Sequence, residues 1–130
     1  MRFRKTLAGF AIGMLMAVGL STPAKAAYND CYNYPGTVCL YAFTNYGNPI
    51  WRQYPSQING CRFLGNDGWN DVTTVAWNRT SSSYTLRMWR HYPCGGSGNA
   101  YYDLPSGYWV DFSGTPGWDN SISAVQIIAY

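Results

Sequence analysis

Gly68-Trp69-Asn70-Asp71-Val72-Thr73-Thr74-Val75 returns as Gly117-Trp118-Asp119-Asn120-Ser121-Ile122-Ser123-Ala124, an offset of 117 − 68 = 49 residues. A second correspondence lies upstream in each half. Leu40-Tyr41 followed by Tyr46-Gly47-Asn48 matches Met88-Trp89 followed by Cys94-Gly95-Gly96, at an offset of 48. Two matches in the same order at nearly equal offset define an internal repeat of about 45–50 residues. That length suits one four-stranded Greek key per copy. The first key is expected over about 37–80 and the second over about 84–130.

The residues around the repeats read as strand and turn. Aromatic and β-branched residues fit a pleated, half-buried surface. After residue 26 there is no Lys or Glu, so good formers of exposed helix are scarce. Strands are expected at 37–43, 50–54, 73–78, 84–90, 100–104, 108–112 and 124–129. In the first, Val38, Leu40 and Ala42 alternate with Cys39, Tyr41 and Phe43. Turn chemistry separates the runs, at Tyr46-Gly47-Asn48-Pro49, Asn59-Gly60, Asn66-Asp67-Gly68, Cys94-Gly95-Gly96-Ser97-Gly98 and Gly114-Thr115-Pro116-Gly117. The expected class is an all-β sandwich of two Greek keys.

Upstream, Arg2, Arg4 and Lys5 precede an apolar run over residues 7–20, and small residues end at Ala24-Lys25-Ala26. Residues 1–26 read as a secretory signal, cleaved near Ala26, leaving 130 − 26 = 104 residues in one domain over 27–130. The 14-residue run is shorter than the roughly 20 residues of a spanning helix, so no membrane anchoring is expected. The formal charge of +3 for the whole chain becomes 5 Arg − 6 Asp = −1 once the signal is removed. A nucleic-acid partner would call for a basic stripe, which this Lys-free region lacks. Secretion also governs the cysteines. Cys31, Cys39, Cys61 and Cys94 form an even set in a short exported chain, which points to disulfides. Of the three ways to pair them, Cys31 with Cys39 and Cys61 with Cys94 is favoured. The loop-entropy model assigns those bonds about 2.5 and about 4 kcal/mol.

The repeats resemble the Greek keys of βγ-crystallins. The shared pattern is an aromatic followed by a glycine in a folded hairpin, then paired Asn/Asp with Ser or Thr downstream. It runs from Trp89 to Gly96 in the second copy and from Tyr41 to Asn48 in the first, with Asn at the glycine position. The region from Cys31 onward is also similar to secreted bacterial proteins of the metalloproteinase inhibitor family. The Cys pair, Val38-Cys39-Leu40-Tyr41, Trp69-Asn70-Asp71 and Cys94-Gly95-Gly96 carry that similarity.

Both resemblances carry expectations about sites. The βγ-crystallin motif implies calcium, held by Asn70, Asp71, Val72 and Thr74 in one copy and by Asp119, Asn120, Ser121 and Ser123 in the other. Val75 and Ala124 stand where the pattern has Ser, and each motif brings one carboxylate, Asp71 or Asp119. Binding is therefore expected in the weak extracellular range, about 10⁻⁴–10⁻³ M. The same residue types also close turns without a metal. The inhibitor family implies an extracellular protease as partner and a rigid loop as the contact. The nearest loop is Arg90-His91-Tyr92-Pro93, ahead of Cys94; a second is Tyr32-Asn33-Tyr34-Pro35-Gly36.

A competing expectation is a polysaccharide-binding antimicrobial module using Trp51, Tyr101, Tyr102, Tyr108 and Trp109. A third is a structural protein stabilised by calcium. Catalysis is not expected. His91 is the one imidazole, and no Gly-x-Ser-x-Gly elbow is present. The protein is expected to act as a monomer.

Overall fold

The computed structural model describes residues 31–44, 49–81 and 83–130. The expected signal over 1–26 and the Tyr46-Gly47-Asn48 turn lie outside the described residues. Eight strands follow in chain order: β1 (Val38–Tyr41), β2 (Ile50–Gln53), β3 (Arg62–Phe63), β4 (Val75–Asn78), β5 (Tyr84–Trp89), β6 (Tyr101–Pro105), β7 (Trp109–Asp111) and β8 (Ala124–Ala129). Seven of them fall inside the expected runs or within one residue of them. The eighth, β3, is two residues long and becomes a strand only by pairing Arg62 with Val125 and Phe63 with Ala124.

The strands form two antiparallel sheets, ordered β2-β1-β4-β7 and β3-β8-β5-β6. Each key therefore places its third strand in the other key's sheet. β3 pairs with the last strand of the second copy, and β7 pairs with the last strand of the first. The exchange fuses the copies into one sandwich whose core draws on both. Val38, Leu40, Trp51 and Ala76 from the first sheet meet Leu86, Met88, Leu104 and Val125 from the second. Leu64, Phe112 and Ile122 from the connections complete it. The inward positions follow the period-2 alternation of pleated strands.

The first sheet is covered on its outer face as well. Cys39 and Tyr41, which alternate with Val38 and Leu40, pack with Cys31 and Val75 in a second buried cluster. The disulfide Cys31–Cys39 pins residue 31 onto that face, and Cys61–Cys94 ties the segment before β3 to the β5–β6 connection. Both pairings match those favoured from the sequence.

Asn78 joins the two sheets. Its side chain is fully buried; Nδ2 donates to the carbonyls of Leu104 and Tyr84 at 2.8 and 3.3 Å. Its Oδ1 accepts from the Thr80 amide and hydroxyl at 3.0 and 2.6 Å. All of its side-chain polar groups are thus spent inside the fold, which a buried amide requires. The Asn78-Arg79-Thr80 segment is a structural element in this setting.

Candidate functional site

The repeated motif lies in the connections that lead into β4 and β8. Each copy opens on a glycine in the left-handed region, Gly68 at φ 73° and Gly117 at φ 79°. Three residues later Asp71 and Asn120 take φ 56° and 52°, a region that Asn and Asp tolerate better than other residues with a Cβ. The two segments then interlock about a pseudo-twofold axis. The Asp71 amide donates to Ile122 and the Asn120 amide to Thr73, both at 3.0 Å. Residue 122 stands 49 after residue 73, as 120 stands 49 after 71.

The side chains repeat the exchange. Ser123 Oγ lies 3.3 Å from Asp71 Oδ1, and Thr74 Oγ1 lies 3.4 Å from Asn120 Oδ1. Each pairing joins an exposed Asx from one copy to a buried hydroxyl from the other. Spacing alone groups Asp71 with Thr74 and Asn120 with Ser123; the fold brings the crossed pairs together. Asn70 Nδ2 donates to Asp71 Oδ2 at 3.0 Å, which holds the carboxylate from its far side. Ser121 Oγ donates to its own copy's Gly117 carbonyl at 2.7 Å. Val72 packs against the core, and Asp119 is exposed. The first oxygen pair includes one carboxylate and the second has only amide and hydroxyl oxygens. Among the described residues, no group of three or more His, Cys, Asp or Glu side chains converges.

The second locus is the connection between β5 and β6. Arg90 N–H donates to the Ala100 carbonyl at 3.0 Å and closes its base. Asn99 then holds the interior. Its Oδ1 accepts from the His91 amide at 3.0 Å, and its Nδ2 points to the carbonyls of His91, Pro93 and Gly95 at 2.8, 3.0 and 3.2 Å. The disulfide at Cys94 fixes the far arm, and the Cys94 amide lies 2.8 Å from Cys61 Sγ. The Tyr92 ring rests on Phe63 with centroids 4.7 Å apart. His91, Tyr92 and Pro93 stay exposed on this braced backbone. Arg90 turns inward instead, with its guanidinium carbon 6.0 Å from the Trp118 ring and its nitrogens against Gly117.

Asn99 escapes the motif search because it is one Asn after a glycine-rich run. The signal that could have found it is the tendency of Asx side chains to bond nearby backbone. The alternative loop at residues 32–36 also has an anchor, since Arg52 stacks on Tyr34 at 3.7 Å. Arg79 Nη1 donates to the carbonyls of Cys31 and Tyr32 beside it. Of the aromatics expected to meet a glycan, Trp51 is 4 % exposed, and its Nε1 donates to Asp67 at 3.0 Å. Tyr102 leans on Phe112 and Trp118, while Tyr101, Tyr108 and Trp109 are exposed.

Arg62 completes the setting of Trp51. It grips the Asp67 carboxylate at 2.8 and 3.0 Å, and that hydrogen bonding holds Asp67 below the usual carboxylate range. The second ion pair is Arg87 with Asp103, at 2.7 Å on the outer face of the second sheet. No described helix is long and apolar enough to cross a membrane. The two disulfides fit an oxidising, extracellular compartment.

No family model matches the chain, and no curated protein matches it. Solved structures do match it, among them the following two. A βγ-crystallin from Ciona intestinalis superposes with a TM-score of 0.52 at 18% identity, covering 70% of this chain and 98% of that one. A structure described under the evolution of the eye-lens βγ-crystallin domain fold superposes at 0.55 with 19% identity, covering 74% and 88%. At such identities the likeness is one of architecture. The chain has the βγ-crystallin fold, with two interlocked Greek keys and two disulfides.

Proposed function

We propose that the protein is an exported, non-catalytic binding protein whose working surface is the β5–β6 loop, presented to the cleft of an extracellular metalloproteinase. The observation that carries this reading is the bracing of that loop. Asn99, the Cys61–Cys94 bond and the Phe63 ring immobilise a backbone that leaves His91, Tyr92 and Pro93 exposed. Binding a flexible loop costs about 0.5–1.5 kcal/mol for each side chain that must be ordered, so a loop already ordered keeps more of its contact energy. The cationic, apolar and small-residue order of residues 1–26 supports export, as do the disulfides. Titration of the purified secreted protein against a panel of metalloproteinases tests the proposal. Stoichiometric inhibition of at least one member is expected, and inhibition of none would overturn it.

A second reading concerns calcium. The crossed pairs Asp71 with Ser123 and Asn120 with Thr74 place side-chain oxygens together at two symmetry-related points, of which the first carries the carboxylate. Calcium favours such oxygen sets, and low carboxylate content keeps affinity in the millimolar class. At 10 mM calcium and a dissociation constant of about 1 mM, one site would stabilise the fold by roughly 1.4 kcal/mol. The melting temperature of chelator-treated protein should therefore rise on adding calcium, and rise less with Asp71→Ala, which removes one of the two points. An unchanged wild-type melting temperature at 10 mM would remove calcium from the account.

A further inference from the structure

The outer face of the second sheet carries an aromatic row whose Trp89 and Tyr101 end is used by neither the inhibitory loop nor the calcium motif. Strand register places Phe63, Ala124, Trp89 and Tyr101 side by side across β3, β8, β5 and β6. At a strand spacing of about 4.8 Å the row is about 14 Å across. Tyr92 extends it beyond Phe63, and the Trp89 and Tyr101 ring centroids lie 4.9 Å apart. Two residues along the strands runs a parallel polar row of Gln126, Arg87 and Asp103. Gln126 Oε1 accepts from Trp89 Nε1 at 3.3 Å, and Arg87 makes two 2.7 Å hydrogen bonds to Asp103. The Arg87 guanidinium carbon also sits 4.0 Å from the Tyr101 ring centroid.

The internal symmetry allows the two outer faces to be compared. Tyr41 and Val75 are the first sheet's counterparts of Trp89 and Ala124, and there the outer face is covered by the chain itself through Cys31. On the second sheet Ala124 and Trp89 are likewise buried, at 0% and 7%, but the two ends of the row leave Tyr92 52% and Tyr101 48% exposed. Its two charges are opposite and bonded to each other, so the patch has no net charge to attract a phosphate or a polyanion. Flat rings beside a fixed row of donors and acceptors match the alternating apolar faces and hydroxyl edges of sugar rings.

We propose that this face binds a neutral polysaccharide, with Tyr101 and Tyr92 stacking on sugar rings and Arg87, Asp103 and Gln126 meeting the hydroxyls. The site overlaps the protease-binding loop at Tyr92, whereas Tyr101 belongs to this face alone. Native affinity electrophoresis through gels containing hydroxyethyl cellulose, glycol chitin or laminarin tests it, with polygalacturonate as the charged control. Retardation by at least one neutral polymer is expected. Tyr101→Ala should weaken it about twofold to tenfold, the range that one aromatic contact contributes, whereas Tyr101→Phe retains it. Trp109→Ala, which removes an equally exposed ring from the other sheet, should leave retardation unchanged. No retardation by any neutral polymer would overturn the proposal. Retardation by polygalacturonate alone, or equal losses for Tyr101→Ala and Trp109→Ala, would do the same. Thermal melting of each variant confirms that the fold is retained.

Discussion

Replacing Asn78 by Ala should cost more stability than any other single polar substitution in the sandwich. The side chain is fully buried and serves four groups: the carbonyls of Leu104 and Tyr84, and the amide and hydroxyl of Thr80. Leu104 and Thr80 are themselves 2% and 7% exposed, so water cannot replace the lost partner. A buried group left unsatisfied costs about 1–3 kcal/mol, and two or three such groups put the loss at about 3–5 kcal/mol. Against a total stability of about 5–15 kcal/mol, that is a large fraction. Urea unfolding of the disulfide-intact protein, followed by tryptophan fluorescence, measures it. Thr80→Val removes only the hydroxyl donor and should cost about 1 kcal/mol. A loss below about 1 kcal/mol for Asn78→Ala would refute the assignment of Asn78 as the link between the sheets.

Other outcomes follow from the same contacts. Arg62 holds the Asp67 carboxylate below its ordinary range, so the pair stabilises the fold above the usual aspartate pKa of about 4 and loses that contribution as pH falls through the lower folded value. Partial exposure limits it to about 1 kcal/mol. Asp67→Asn should be the less stable protein at neutral pH, with the gap to wild type closing in acid melts. Removing the Cys61–Cys94 bond by a double Ala substitution should cost about 3.7 kcal/mol for a separation of 33 residues, against about 2.5 for Cys31–Cys39 with a separation of 8. Urea midpoints of the two double variants check the order. Asn99→Ala should leave the sandwich folded and release residues 91–98, seen as faster amide exchange there and weaker protease inhibition. Unchanged exchange would show that the disulfide alone rigidifies the loop.

The repeats at Gly68 and Gly117 made most of the architecture legible, because alternation and turn residues mark strands locally. What they could not show is the exchange of β3 and β7. A two-residue strand such as Arg62-Phe63 has no readable period, and its partner is chosen by the packing of the whole sandwich. The same limit applies to the motif. Sequence spacing identifies Asp71, Thr74, Asn120 and Ser123, but the pseudo-twofold axis decides that Asp71 meets Ser123 and Asn120 meets Thr74. Outward-facing residues were the hardest to place. Trp51 and Trp109 look alike in sequence; one donates to Asp67 beneath the surface and the other stands exposed. Asn99 has no periodic or repeated signature, and its role emerges only once the loop closes around it.

Amide hydrogen exchange of the protein, free and in complex with an inhibited metalloproteinase, tests the proposed working surface most directly. Bound protease should protect residues 90–98 and leave the outer face of the first sheet unchanged. Protection centred elsewhere, with residues 90–98 exchanging as in the free protein, would contradict the assignment of the β5–β6 loop.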